Sequence, residues 1–235
     1  MKVLTSQKAL AYLSRDPVAH MDMIVPIKRG SAQIIYAGDD GVCIFENKSS
    51  AYILTVESLE LGKSVISEFT NRGFMVSFHQ EFMLELFEEK YYGTKLENYQ
   101  AVYLQKEKLP IAGNIKIMPI GEQHMGHVIT NYDFAVGADY ISERIKSGKI
   151  FGGFEKGEMF GFVGIHQEGS IGMLKVLKEH RGKGYGAGLI AYATNHQLER
   201  KTTPFVQIGT DNEISLAAAK KAGYAVSSSK VYWLF

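Results

Sequence analysis

Apolar positions along the chain fall into short runs of two kinds. Alternation with period two, bounded by Gly, Asp and Asn, predicts strands, and recurrence at three- and four-residue spacing predicts helices. In the first half, residues 7–13 read as a short helix, and residues 31–37 and 42–47 as a hairpin around the turn Gly38-Asp39-Asp40-Gly41. Residues 52–56 form a third strand. Residues 60–71 read as a helix stopped by Gly73, with Ile66 and Phe69 on one face. A strand at 74–78, an amphipathic helix at 81–91 and a strand at 99–104 complete this half.

Residues 105–113 carry Lys106, Glu107 and Lys108 beside Pro110 and Gly113, a composition that suits a linker. The expected domain boundary is placed there, giving an N-terminal α/β domain at 1–112 and a second domain at 113–235. The second half opens with a strand at 115–119 and helical material between 122 and 149, clearest at 140–146. Strands at 150–154 and 159–165 form a hairpin turning at 155–158. An apolar strand at 171–177, interrupted by Lys175, leads through a glycine-rich turn into a helix at 186–200. A strand at 204–209, a helix at 214–222 and a closing strand at 231–235 follow. Alternating strands and helices predict an α/β protein. Both halves run hairpin, strand, helix, strand, helix, strand, an order that a diverged duplication would leave, although no residue-level repeat is found.

Composition narrows the function classes. The 235 residues are 46% apolar and 22% charged, enough for a sizeable core in one or two domains. A formal net charge of +1 gives no bulk attraction to nucleic acid or to an anionic membrane. Cys43 is the only cysteine, which excludes an internal disulfide and fits a reducing, cytoplasmic setting. No signal peptide and no apolar run long enough to cross a bilayer is expected. The seven histidines fall into no ligand spacing with Cys43 or with one another, so no metal is expected.

The segment that carries chemistry is Leu174-Lys175-Val176 and the turn that follows it. After the strand ends, Gly182, Gly184, Gly186 and Gly188 stand at every second position and an apolar helix begins. Glycine accepts positive φ and lets a ligand approach the backbone. The first amides of the helix lack internal partners and sit at the positive end of its dipole. With Arg181 and Lys183 beside them, they suit a phosphate or diphosphate. A mononucleotide loop of the form G-x-x-x-x-G-K-[ST] is absent. Gly182-x-Gly184-x-x-Ala187 matches the dinucleotide fingerprint, and Asp211 could stand for its ribose-binding acid. Only 24 residues follow Asp211, however, too few for the remaining units of that fold.

Arg181-Gly182-Lys183-Gly184-Tyr185-Gly186 fits the [QR]-x-x-G-x-[GA] phosphate loop, and here the chain resembles the GNAT superfamily of acetyltransferases. Leu174-Lys175-Val176 matches the family's L-x-V strand ahead of the arginine. Asn212, eleven residues before Gly223-Tyr224, matches its asparagine and closing Gly-aromatic helix. The resemblance covers about residues 115–235. It implies acetyl-CoA as cosubstrate, held by Leu174, Lys175, Val176, Arg181, Gly182, Lys183, Gly184, Tyr185, Gly186, Ala187, Asn212 and Ser215. The implied sheet is mixed and would splay between the strands at 171–177 and 205–209, and a backbone amide near 174–176 would polarise the thioester. The implied reaction is direct acetyl transfer to the primary amine of a small molecule or peptide.

The chain departs from the family in its acid–base groups. The tyrosine expected seven residues after the asparagine is Ala219, and the glutamate expected two residues before Leu174 is Gly172. No catalytic residue is therefore assigned. His166 has a suitable intrinsic pKa, but simple hairpin pairing sets it opposite Ile171, on the face away from Gly172; Glu168 and Glu179 lie near the same strands. Tyr132, Asp133, Phe134, Tyr140 and Glu143 are candidates for an acceptor pocket, with core packing or solvation as the competing readings. The first half lacks a phosphate loop at residues 57–63, leaving it open between shaping the acceptor site and mediating a homodimer. A non-catalytic acyl-CoA-binding sensor or scaffold is the alternative to the enzyme.

Overall fold

The computed structural model describes residues 2–70, 75–87, 93–111, 113, 115–132 and 137–235. The chain packs as two compact units that interleave in sequence. One gathers Met1–Val102, Gln167–Gly169 and Gln207–Phe235, and the other Tyr103–His166 and Ser170–Val206.

The first unit begins with helices α1 (Lys2–Leu13) and α2 (Met21–Arg29). Strands β1 (Ala32–Ala37), β2 (Gly41–Glu46) and β3 (Ala51–Val56), helix α3 (Leu59–Ser67), strand β4 (Met75–Phe78), the one-turn helix α4 (Leu84–Phe87) and strand β5 (Lys95–Val102) follow. The second unit carries β6 (Lys116–Pro119), α5 (Met125–Asn131), α6 (Ala138–Lys146), β7 (Ile150–Glu155), β8 (Glu158–Ile165), β9 (Ile171–Val176) and α7 (Tyr185–Glu199). Strand β10 (Phe205–Gly209) starts in the second unit and ends in the first, where α8 (Glu213–Lys221) and β11 (Ala225–Leu234) complete the chain.

In the first unit the strands run β1-β2-β3-β4-β11-β5. β1, β2 and β3 form an antiparallel meander, and α3 crosses over so that β4 lies parallel to β3 through four register pairs, from Ala51↔Met75 to Leu54↔Phe78. β11 is antiparallel to β4 on one side and β5 on the other. That insertion is why packing divides the chain differently from the sequence boundary at 112/113: the last 29 residues, Gln207–Phe235, belong with the first unit. Phe45, Tyr52, Phe78, Phe87 and Tyr232 fill the core here, with the Phe78 and Tyr232 rings stacked at 5.5 Å. Each such side chain contributes roughly 1.5–3 kcal/mol on burial.

The second unit is an antiparallel meander, β6-β7-β8-β9, whose core joins Ile120, Val128, Ile141, Ile145, Ile150, Phe162 and Met173. β7 and β8 turn through Lys156 and Gly157, both at positive φ. β9 continues through the turn into α7 and returns as β10, parallel to β9 through the single register pair Val206↔Ile171.

β5 begins four residues before the expected strand at 99–104, the helix expected at 81–91 is a 3-10 turn followed by α4 with residues 88–91 outside the described residues, and two elements differ more. α2 was not predicted, because Pro26 lies inside it and removes a helical donor. Burial of Met21, Met23, Ile24 and Val25 outweighs that loss, and Gly30 at φ 75° ends the helix by donating back to Ile27 and Pro26. β11 is ten residues long, where only 231–235 was expected. Its polar stretch Ser227–Lys230 shows no alternation, and pairing on both sides makes it a strand. Among the described residues, no helix is long and apolar enough to cross a membrane. Among the same residues, no three or more His, Cys, Asp or Glu side chains gather where they could hold a metal ion.

Candidate functional site

The predicted loop lies in the second unit at the start of α7. β9 ends at Val176, a single 3-10 turn covers Lys178–His180, and Arg181 resumes an extended conformation. Gly182 stands at φ 78° and Gly184 at φ 80°, in the left-handed region that glycine alone enters without strain. A Cβ at either position would meet nothing within 4 Å, so one side of the turn is open. The N–H groups of Ala187 and Gly188 both turn back on the Gly184 carbonyl, at 3.1 and 3.4 Å. The amides from Gly182 to Gly186 have no acceptor among the described residues. Five consecutive amides before and at the head of a 15-residue helix are thus left without a partner among the described residues, an arrangement that suits an anion.

The side chains of the turn divide into two roles. Arg181 to Gly184 are exposed, and the Arg181 guanidinium bonds the Val176 carbonyl at 3.3 Å, which fixes its start beside β9. Lys183 holds its ammonium 6.0 Å from the Tyr185 ring. That ring is buried and stacks on Phe160 at 4.2 Å, so Tyr185 offers a ligand its backbone rather than its ring. Its hydroxyl donates to Glu155, which raises its pKa.

Beside the loop, β9 is irregular. Between Gly164↔Gly172 and Phe162↔Lys175, Met173 and Leu174 stand opposite Val163 alone, a β-bulge. Met173 takes φ 51°, at a cost of roughly 1–2 kcal/mol for a residue with a Cβ. The bulge re-aims the peptide groups of the L-x-V segment. Leu174, Lys175 and Val176 are half-buried, and past Ile171 no register pair joins β9 to β10. In the first unit the corresponding strands β3 and β4 are laddered over four pairs. There the start of α3 is closed as well: Ser58 caps Leu61 N–H at 3.2 Å, and Glu60 puts a negative charge in the first turn. The turn before α7 suits an anion, whereas the capped and acidic start of α3 does not.

Of the predicted site residues, Leu174, Lys175, Val176 and Arg181 to Ala187 come together in the second unit. Asn212 and Ser215 lie in the first unit, where Asn212 Oδ1 accepts the Ser215 amide at 3.0 Å as the cap of α8. Ala219 is buried on that helix and supplies only a methyl group. Among the acceptor candidates, Asp133 and Phe134 lie outside the described residues. Tyr132 packs against the second unit's core. Glu143 forms a bidentate pair with Arg144, at 2.5 and 2.6 Å. Trp233 donates to Gln207 at 2.8 Å within the first unit.

His166 stands elsewhere than pairing by eye would put it. Ile165, not His166, is the partner of Ile171, and the His166 amide donates to the Ser170 carbonyl at 2.8 Å. The one-residue difference carries its imidazole to the same face as Gly172. The ring's Nε2 and Cδ2 fill the space a Cβ at Gly172 would occupy, and Nδ1 lies 2.6 Å from the Tyr140 hydroxyl.

Comparison with known proteins accords with this geometry. Residues 150–234 match the FR47-like protein family. No curated protein matches the chain. Solved structures resemble it along nearly its whole length. A protein from Drosophila superposes with a TM-score of 0.67 at 12% identity, over 99% of this chain and 88% of its own. A GCN5-related N-acetyltransferase-like protein from Streptococcus suis gives 0.59 at 14%, over 100% and 99%. A tandem GNAT protein from the clavulanic acid biosynthesis pathway gives 0.51 at 11%, over 99% and 95%. At these identities the likeness is one of fold.

Proposed function

We propose that the chain, which matches the FR47-like family over residues 150–234 and shares its fold with solved acetyltransferases of the GNAT family, transfers the acetyl group of acetyl-CoA to the primary amine of a small molecule or peptide. The observation that carries this reading is the run of unpaired amides from Gly182 to Gly186 at the head of α7. The diphosphate of the cosubstrate is held by those donors, with Arg181 and Lys183 adding positive charge and the helix dipole favouring the anion. The pantetheine arm bonds the edge of β9 at Leu174–Val176. A backbone N–H at the Met173–Leu174 bulge donates to the thioester oxygen as negative charge develops on it during attack by the amine. Transfer is direct, so holding amine and thioester together supplies much of the rate.

A second reading has its own support. Gly172 and Ala219 bring no acid or base to the site, which favours a non-catalytic module that binds acyl-CoA as a sensor or scaffold. Calorimetry with acetyl-CoA, followed by a thiol-release assay over a panel of alkylamines and peptide N-termini, tests both. Binding with thiol release supports the transferase. Binding without release from any amine supports the module, and absence of binding overturns the cradle and both readings.

A further inference from the structure

We propose that His166 is the general base of the reaction, taking a proton from the acceptor ammonium at Nε2 while Tyr140 holds the ring. The inference rests on the acetyl-transfer reading and names the group that completes it. The imidazole is fixed from two sides within one unit. From α6, the Tyr140 hydroxyl lies 2.6 Å from Nδ1, with the two rings nearly parallel at 28°. From β9, Gly172 gives the ring its place, since any Cβ there would stand on Nε2 and Cδ2. Gly172 has no positive φ to explain it; the room it leaves is filled by His166. A base held by a third group, with its reactive nitrogen aimed away from that group, is the arrangement that activates a nucleophile.

The position suits the task. Gly172 immediately precedes the bulge at Met173 and Leu174. When Nδ1–H donates to Tyr140 Oη, the lone pair is on Nε2. On α6, the charged groups near the ring are Arg144, whose Nη1 lies 3.4 Å from the Ile165 carbonyl, and Glu143, which pairs with Arg144. The paired carboxylate offsets the guanidinium, so a proton arriving on the imidazole meets no bare positive charge from α6. In the reaction Nε2 takes one proton from the ammonium and passes it to solvent. The freed nitrogen lone pair forms the C–N bond, the C–S pair leaves on sulfur, and the second proton shed by nitrogen protonates that thiolate.

The test compares His166→Gln, His166→Ala, Tyr140→Phe and the double variant His166→Ala/Gly172→Glu in the full chain. Each is assayed by acetyl-CoA calorimetry and by thiol release with the alkylamine that the unsubstituted chain turns over fastest. For His166→Gln, kcat should fall ~10²–10⁴-fold, the contribution of a positioned base, with acetyl-CoA affinity unchanged and the acidic limb of the kcat/KM profile gone. Tyr140→Phe should move that limb without removing it. The double variant should recover activity relative to His166→Ala, because a carboxylate from β9 enters the same space. A His166→Gln variant with full rate and an intact acidic limb overturns the inference and leaves the transferase standing. Loss of acetyl-CoA binding along with rate marks a structural histidine and also overturns it. If the unsubstituted chain binds acetyl-CoA but acetylates no amine, the transferase reading itself falls and takes this one with it.

Discussion

Replacing Gly184 by alanine separates backbone strain from ligand binding when it is set beside Gly157→Ala. Gly184 has φ 80° and Gly157 φ 89°, and at neither would a Cβ touch anything within 4 Å. The cost of either change is therefore conformational, ~1–2 kcal/mol for forcing a Cβ into the left-handed region. For a chain of this size that lowers Tm by about 2–8 °C. The two differ in what the backbone does there. Gly157 only turns β7 into β8, whereas Gly184 joins peptide units that carry unpaired amides, and its carbonyl holds the Ala187 and Gly188 N–H groups. Relief of strain at Gly184 rotates those donors away from a bound phosphate. One charge-assisted hydrogen bond lost is ~1.5–3 kcal/mol, or ~10- to 150-fold in affinity. Thermal unfolding by circular dichroism should show similar losses for both variants, and calorimetry with acetyl-CoA should show weakened binding only for Gly184→Ala. If the two bind acetyl-CoA equally well, the diphosphate does not lie on this turn and the reasoning fails.

Two further outcomes concern stability. The Glu46 side chain is fully buried and accepts from Arg29 at 3.0 Å, from the Ser49 amide at 2.7 Å and from the Ser49 hydroxyl at 2.9 Å. Glu46→Ala strands these donors and should cost ~3–5 kcal/mol in urea unfolding; a loss under ~1 kcal/mol would contradict the assignment. His20 and His196 are held neutral, each with its pKa lowered to about 4. Burial is the main cause for both, joined by His79 at His20 and by Arg200 and Lys149 at His196. Unfolded histidine binds a proton near pH 6.5, so this stability is complete above that value and is lost as pH falls from about 6.5 towards 4. Tm measured across that window should decline, less steeply in His20→Gln and His196→Gln, and a flat profile in the unsubstituted chain would refute the argument.

The glycine turn, the strand before it and the helix after it were legible in the sequence because their signals are local. Glycines at every second position, an apolar run ahead and a helix-forming run behind fix the backbone over a dozen residues with little help from elsewhere. Asn212 was legible as a cap for the same reason. The bulge was not: nothing in a methionine announces positive φ, and Met173 takes it because the β8 register and the core around it require the extra residue.

The sequence by itself determined most of the strands and helices, where the glycine-rich turn lies, and that Gly172 and Ala219 bring no acid or base. Tertiary structure decided what faces what. Whether His166 meets Gly172 or points away depends on a one-residue choice of register, and side chains alternate faces with period two, so that choice reverses the answer. β11 is a strand along its whole length because β4 and β5 supply partners on both sides. Its polar middle carries no such instruction. Local preferences are set by neighbours in the chain, but pairing is set by free energy summed across residues far apart, and no window of sequence contains both partners.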